Sequence, residues 1–93
     1  MAFKVIDVID GDTFVVSPDW EWNGESGNVV RPVGYNTPEQ SDPGFDQAKA
    51  ALEELIDGED VELIDPIKLT FGRLLCTVIF KGKDLADYFP QYQ

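Results

Sequence analysis

Histidine is absent from this chain of 93 residues, and cysteine and methionine occur once each. Without an imidazole there is no Ser-His-Asp or Cys-His hydrolytic machinery, and one cysteine cannot build a zinc cage. The single Cys76 has no partner for an internal disulfide, and within RLLCTVIF it is expected to be a small buried hydrophobe. Basic side chains are also scarce: 7 Lys and Arg stand against 18 Asp and Glu, a formal net charge of −11. Such a chain repels polyanions on average, which excludes nucleic-acid binding through a broad basic face. A phosphate ligand would need a locally positive cleft made by a few arginines and a metal ion. No apolar run resembles a membrane span, and MAFKVIDVID carries Asp7 and Asp10 within its apolar stretch and no small-residue cleavage site. No membrane partner, a cytoplasmic location and a monomer are therefore expected. Any catalysis must run on carboxylates, arginines, hydroxyls and an oxygen-coordinated cation such as Ca²⁺ or Mg²⁺.

What is present is enough for one small domain covering residues 1–93, with 43% hydrophobic residues to fill a single core. Alternation and β-branched residues predict strands over 3–9 and 13–17, joined at Asp10-Gly11-Asp12. A polar loop over 18–28 carries Trp20 and Trp22, and a third strand follows over 29–35. Pro32 cannot donate to a ladder, so it is expected at an edge or a bulge. Residues 37–58 contain a helix whose apolar stripe is Phe45, Ala48, Leu52, Leu55 and Ile56, with Asp42 and Pro43 supplying cap and first-turn chemistry and Gly58 at C′. Strands over 60–65 and 72–80, a Lys-Gly-Lys turn and a short helical piece over 84–89 complete the chain.

Three strands, a helix and two strands is the element order of an OB-fold, a five-stranded Greek-key barrel with its main helix between strands 3 and 4 and here a short C-terminal helix. A small open α+β sheet would use the same elements but leave edges to protect. OB barrels bind oligonucleotides, oligosaccharides and proteins alike, so function has to be argued from a site.

The stretch VIDGDTFVV, residues 8–16, has two readings. Asp-Gly between apolar runs is a strong hairpin signal; two carboxylates around one glycine also suit a hard cation. Trp20 and Trp22 offer a stacking platform for bases, but the favoured reading is aromatic pins that hold a loop to the barrel, given how strongly such rings contribute to packing. Glu39 reads as a helix-preceding surface charge or a base, and Arg73 as a phosphate grip or one half of a surface ion pair contributing about 0 to 1 kcal/mol.

Four stretches in order, DGDT (10–13), Arg31 in VVRPVGY, NTPEQ (36–40) and FGR (71–73), resemble the staphylococcal nuclease-like (thermonuclease) family over roughly residues 5–85. That family is a Ca²⁺-dependent phosphodiesterase acting on DNA and RNA. The resemblance implies that Asp12 is a metal ligand, with Asp10 near the metal but not bonded to it. It implies that Asn36 stands in the place of a second ligand aspartate and that Thr37 offers its backbone carbonyl. Glu39 matches the glutamate that orients or deprotonates the attacking water, and Arg31 and Arg73 match the arginines that grip the scissile phosphate. Phe71 stands where a tyrosine is usual, leaving a ring for substrate contact without the hydroxyl. The implied activity is an endonuclease or other phosphodiesterase on single-stranded DNA or RNA; the other expectation is a non-catalytic OB-type module that binds protein or a nucleic-acid strand. The chemistry is coherent in its own right, since a phosphodiester needs a cation, a water-orienting carboxylate and planar guanidinium forks.

Overall fold

The computed structural model describes residues 2–93. Six strands appear in chain order: β1 (Ala2–Asp10), β2 (Thr13–Trp22), β3 (Glu25–Pro32), β4 (Asp60–Thr70), β5 (Arg73–Phe80) and the two-residue β6 (Lys83–Asp84). The helix α1 (Phe45–Ile56) lies between β3 and β4. The sheet order is β3-β2-β1-β4-β5-β6, and a parallel pairing of β3 with β5 closes the first five strands into a barrel. This is the OB-like architecture expected from the element order, and the closure removes the open α+β alternative.

Period-two patterning puts the core inside. Along β5 every second residue, Leu74, Cys76, Val78 and Phe80, is buried. Opposing strands contribute Val5, Phe14, Val16, Val30 and Val61, while Ala48, Leu52 and Ile56 of α1 close one end. Cys76 is fully buried, as expected for a small apolar side chain, and burial pushes its thiol up to about 12, so it is an inert packing group.

Two strands run further than their alternation predicted. The predicted loop over 18–28 is instead a hairpin: β2 continues to Trp22 and β3 starts at Glu25 around Asn23-Gly24, with φ of 55° and 81°. Positive φ at both turn residues is what a type I′ hairpin needs and what Asn-Gly supplies. The polar composition of residues 25–28, which are mostly exposed, hid the pairing, although Trp20 and Trp22 alternate with the exposed Asp19 and Glu21 on β2. Likewise β4 runs to Thr70, with extra residues between the pairs Ile64↔Thr77 and Lys68↔Leu75. Such a bulge bends the strand around the barrel.

Pro32 is neither on an outer edge strand nor in a bulge. It is the last residue of β3, beyond the final β2 partner pair Phe14↔Val30, where a missing donor breaks no ladder to β2. Asp42 does not cap α1; Gly44 occupies that position with φ 89°, and the Asp42 carboxylate instead accepts from the Glu39 amide at 3.3 Å. Gly58 does lie just past the helix with φ 78°, and its amide donates to the Val5 carbonyl. The predicted C-terminal helix is two short 3-10 turns, Leu85–Tyr88 and Pro90–Tyr92; Leu85 and Ala86 of the first, with Phe89 between the two, complete the core.

Candidate functional site

A cavity of about 410 Å³ opens where three segments meet: the turn between β1 and β2, the connection from β3 to α1, and the start of β5. Its walls include Asp10, Asp12, Arg31, Asn36, Thr37, Glu39 and Arg73. Residues far apart in the chain are therefore gathered on one cleft, including every charged side chain that the sequence singled out.

The arginines arrive by register. In the parallel β3–β5 ladder Val29 lies opposite Arg73 and Arg31 opposite Leu75. Arg31 and Arg73 consequently share the outer face two positions apart, while Val30, Pro32, Leu74 and Cys76 fill the inner face. A one-residue slip would turn both guanidiniums into the core. The Arg73 Nε donates to the Thr70 carbonyl at 3.1 Å, which holds the side chain at the base of its hairpin.

The acidic turn is packed, not loose. The Asp12 amide donates to Asp10 Oδ1 at 3.0 Å, and a Cβ placed on Gly11 would lie 2.7 Å from the Ala48 Cβ and 2.8 Å from the Thr37 hydroxyl. Only glycine fits between these two carboxylates, for reasons of space, since Gly11 is not among the residues with positive φ.

Asp12 is 9% exposed, and Arg31 Nη2 lies 3.7 Å from its carboxylate. Burial first, and the neighbouring Asp10 carboxylate next, push its carboxyl from 3.8 up to about 6; Arg31 and the Thr37 amide pull the other way without prevailing. The same Arg31 Nη2 donates to Asn36 Oδ1 at 3.1 Å, so one guanidinium reaches both the carboxylate and the amide. The Thr13 hydroxyl is 3.4 Å from Asp12 Oδ1.

Phe71 is 95% exposed at the tip of the β4–β5 hairpin, and the Arg73 guanidinium carbon lies 6.0 Å from its ring centroid. Trp20 and Trp22 are not at this cleft. They line a separate groove of about 100 Å³ with Phe3, Leu63, Pro66 and Leu74, and the Trp20 indole donates to the Val29 carbonyl at 3.0 Å. Trp20, 3% exposed and lying over Gly27, is an aromatic pin.

Two residues escaped the sequence reading. Lys68 lies in an adjoining cavity of about 380 Å³ that shares Arg31 and Asn36 with the first. Tyr35 is 4% exposed, and its hydroxyl donates to the Gly11 carbonyl at 3.1 Å. Burial and then the Asp12 and Asp10 carboxylates drive its phenol far above the ordinary range, so it remains a neutral donor. No motif marks either position; Tyr35 follows Gly34 in what read only as a strand end.

Among the described residues no three His, Cys, Asp or Glu side chains gather tightly enough to form a metal cluster by themselves. The donor set is mixed: the carboxylates of Asp10 and Asp12, the amide oxygen of Asn36, and beside them a buried Thr37 hydroxyl with no hydrogen-bond partner. Oxygen donors of this kind, with an excess of negative charge that Arg31 does not neutralise, fit a hard divalent cation such as Ca²⁺. A scan of protein-family models finds no match to this chain, and a search of curated proteins finds none.

Proposed function

We propose that the chain is a Ca²⁺-dependent phosphodiesterase of staphylococcal nuclease-like type, hydrolysing single-stranded DNA or RNA at the cleft between the acidic turn and the β3–β5 arginines. The observation that carries this reading is the convergence of Asp12, Glu39, Arg31 and Arg73 on one cavity. Charge distribution supports it as well: of 7 basic residues in an acidic chain, Arg31, Arg73 and Lys68 line the two adjoining cavities. These three bases balance Asp10, Asp12 and Glu39 on the same walls, so a bound divalent cation would tip the cleft positive toward an anionic ligand that the protein as a whole repels.

Asp12, with Asn36 and the Thr37 backbone, would hold the ion, which supplies polarisation of the phosphoryl group when bound. Arg31 and Arg73 grip the non-bridging oxygens of the scissile phosphate through their planar forks and stabilise charge that builds up there. Glu39, exposed on the rim, accepts the proton of the attacking water as the new P–O bond forms and the ester P–O bond breaks, and the leaving oxygen takes a proton from solvent to depart as the alcohol. Glu39→Gln removes that acceptor and is expected to lower kcat at least about a hundredfold with Ca²⁺ binding retained. Cleavage of a labelled single strand with and without Ca²⁺ checks this; equal turnover by the variant rejects the role.

A non-catalytic OB-type module is the second reading, and one observation favours it. Arg31 already pairs with both Asp12 and Asn36, satisfying the groups that an ion would need. A Ca²⁺ titration followed by NMR separates the two, because the module predicts no localised shifts at Asp12 and Thr37.

A further inference from the structure

We infer that Tyr35 is a positioning residue for the acidic turn, an inference that rests on reading the cleft as a cation-dependent site. Its hydroxyl reaches across 24 positions of sequence to the carbonyl of Gly11, the peptide group between the two carboxylates. That peptide decides where the Asp12 side chain starts. With the carbonyl held, the Gly11–Asp12 peptide plane cannot swing about the flanking Cα bonds without losing that hydrogen bond, and the Asp12 carboxylate stays on the cavity wall.

Tyr35 is itself held from behind. Its ring lies 5.2 Å from that of Phe89, which lies 6.2 Å from Tyr92. The carbonyl of Tyr92 accepts from the Asn36 amide at 2.9 Å, so the C-terminal turns seat Tyr35 and Asn36 together. One buried hydroxyl therefore couples the backbone of the Asn36 segment to the backbone of the Asp12 segment, the two sides from which ligand oxygens come. Without it the Gly11 carbonyl, in a turn where Gly11, Asp12 and Thr13 are all buried, loses its partner. The turn can then recover a hydrogen bond only by rotating toward water, which moves Asp12 with it.

The protein contains its own control. The Tyr88 hydroxyl makes the same kind of bond, to the Phe80 carbonyl at 2.9 Å, but Phe80 is at the opposite end of β5 from Arg73 and does not line the cavity, whereas Gly11 lies between Asp10 and Asp12, which do. Tyr35→Phe and Tyr88→Phe each delete one hydroxyl and keep the ring. The experiment compares both variants with the unaltered full chain by calorimetric titration with Ca²⁺ alone, by amide hydrogen exchange and by urea unfolding. For Tyr35→Phe the Ca²⁺ dissociation constant is expected to rise about tenfold, the loss typical when a partner that orients a metal ligand is removed. The amides of Asp12 and Thr13 are expected to exchange faster in the same variant. Tyr88→Phe is expected to lower the urea midpoint and leave both other readouts unchanged.

Phe89→Leu, which unseats the Tyr35 ring without touching its hydroxyl, is expected to weaken Ca²⁺ binding by a smaller factor and serves if Tyr35→Phe does not fold. Unchanged Ca²⁺ affinity in Tyr35→Phe and Phe89→Leu, or an equal loss in Tyr88→Phe, overturns the positioning role while leaving the cleft intact as a cation site. Failure of the unaltered protein to bind Ca²⁺ overturns the reading of the cleft and this inference with it.

Discussion

Two hairpin turns in this protein carry nearly the same signature, Asp10-Gly11-Asp12 between β1 and β2 and Asn23-Gly24 between β2 and β3, yet they do different work. Gly24 needs its positive φ of 81° and nothing else, because a Cβ there would meet no atom within 4 Å. Gly11 is buried, and its missing side chain makes room for Ala48 and Thr37. The first is a turn of conformation; the second is a turn of packing, wedged among the residues that would hold an ion. Local sequence announces a turn in both cases, and only the neighbours that the fold delivers tell which one is built into the cleft.

Gly11→Ala is the strongest way to break the contrast. Three contacts under 3 Å, to Ala48 and Thr37, have to be relieved, and overpacking of this kind costs about 3 kcal/mol. Ca²⁺ binding should fail in the same variant; urea unfolding and calorimetry measure the two losses.

Next comes Asp12→Asn, which sharpens the electrostatic side. Because the folded carboxyl is raised from 3.8 to about 6, the native protein retains a proton that the unfolded chain has already released between those values. Stability therefore falls as pH rises through that window. In Asp12→Asn this fall is expected to disappear, leaving the variant more stable than the parent above pH 6 without Ca²⁺ and unresponsive to added Ca²⁺. Urea midpoints taken across the window, with and without the ion, test both halves.

Asn36→Asp should act in the opposite direction on affinity, strengthening Ca²⁺ binding about tenfold by adding a charge at the cleft. Without the ion, the added carboxylate is paired to the Arg31 that now serves the amide. Calorimetric titration reads the gain. The smallest effect belongs to Gly24→Ala, where the left-handed backbone alone costs about 1 kcal/mol and Ca²⁺ binding is untouched. A comparable loss of affinity from Gly24→Ala and Gly11→Ala would erase the distinction between the turns.

Much of the barrel was legible because its core strands obey strict alternation. In β5 the buried set Leu74, Cys76, Val78 and Phe80 is a pattern that no helix would produce. The 18–28 hairpin was not legible in the same way: Trp20 and Trp22 alternate with Asp19 and Glu21 on one arm, but the partner arm over 25–28 carries no apolar side chain and mostly meets solvent. Asn-Gly was the available signal there, and it concerns the turn more than the strands. The site divides similarly. Asp12, Glu39, Arg31 and Arg73 stood out through short motifs, and the fold brings all four to one cavity. Tyr35 and Lys68 did not, because their place beside that cavity comes from tertiary contacts that leave no local periodicity. Of the two readings open for Trp20 and Trp22, stacking platform or aromatic pin, the structure gives Trp20 the pin, buried over Gly27.

The side-by-side run of β3 and β5 is the only parallel ladder in a sheet otherwise joined strand by antiparallel strand among the described residues. It is also the seam at which the cylinder is sealed, and both guanidiniums ride on it. A half-open cylinder would keep each arginine, its strand and most of its neighbours, and would still lose the pair. Assembly of the arginine pair and completion of the fold are in that sense one event.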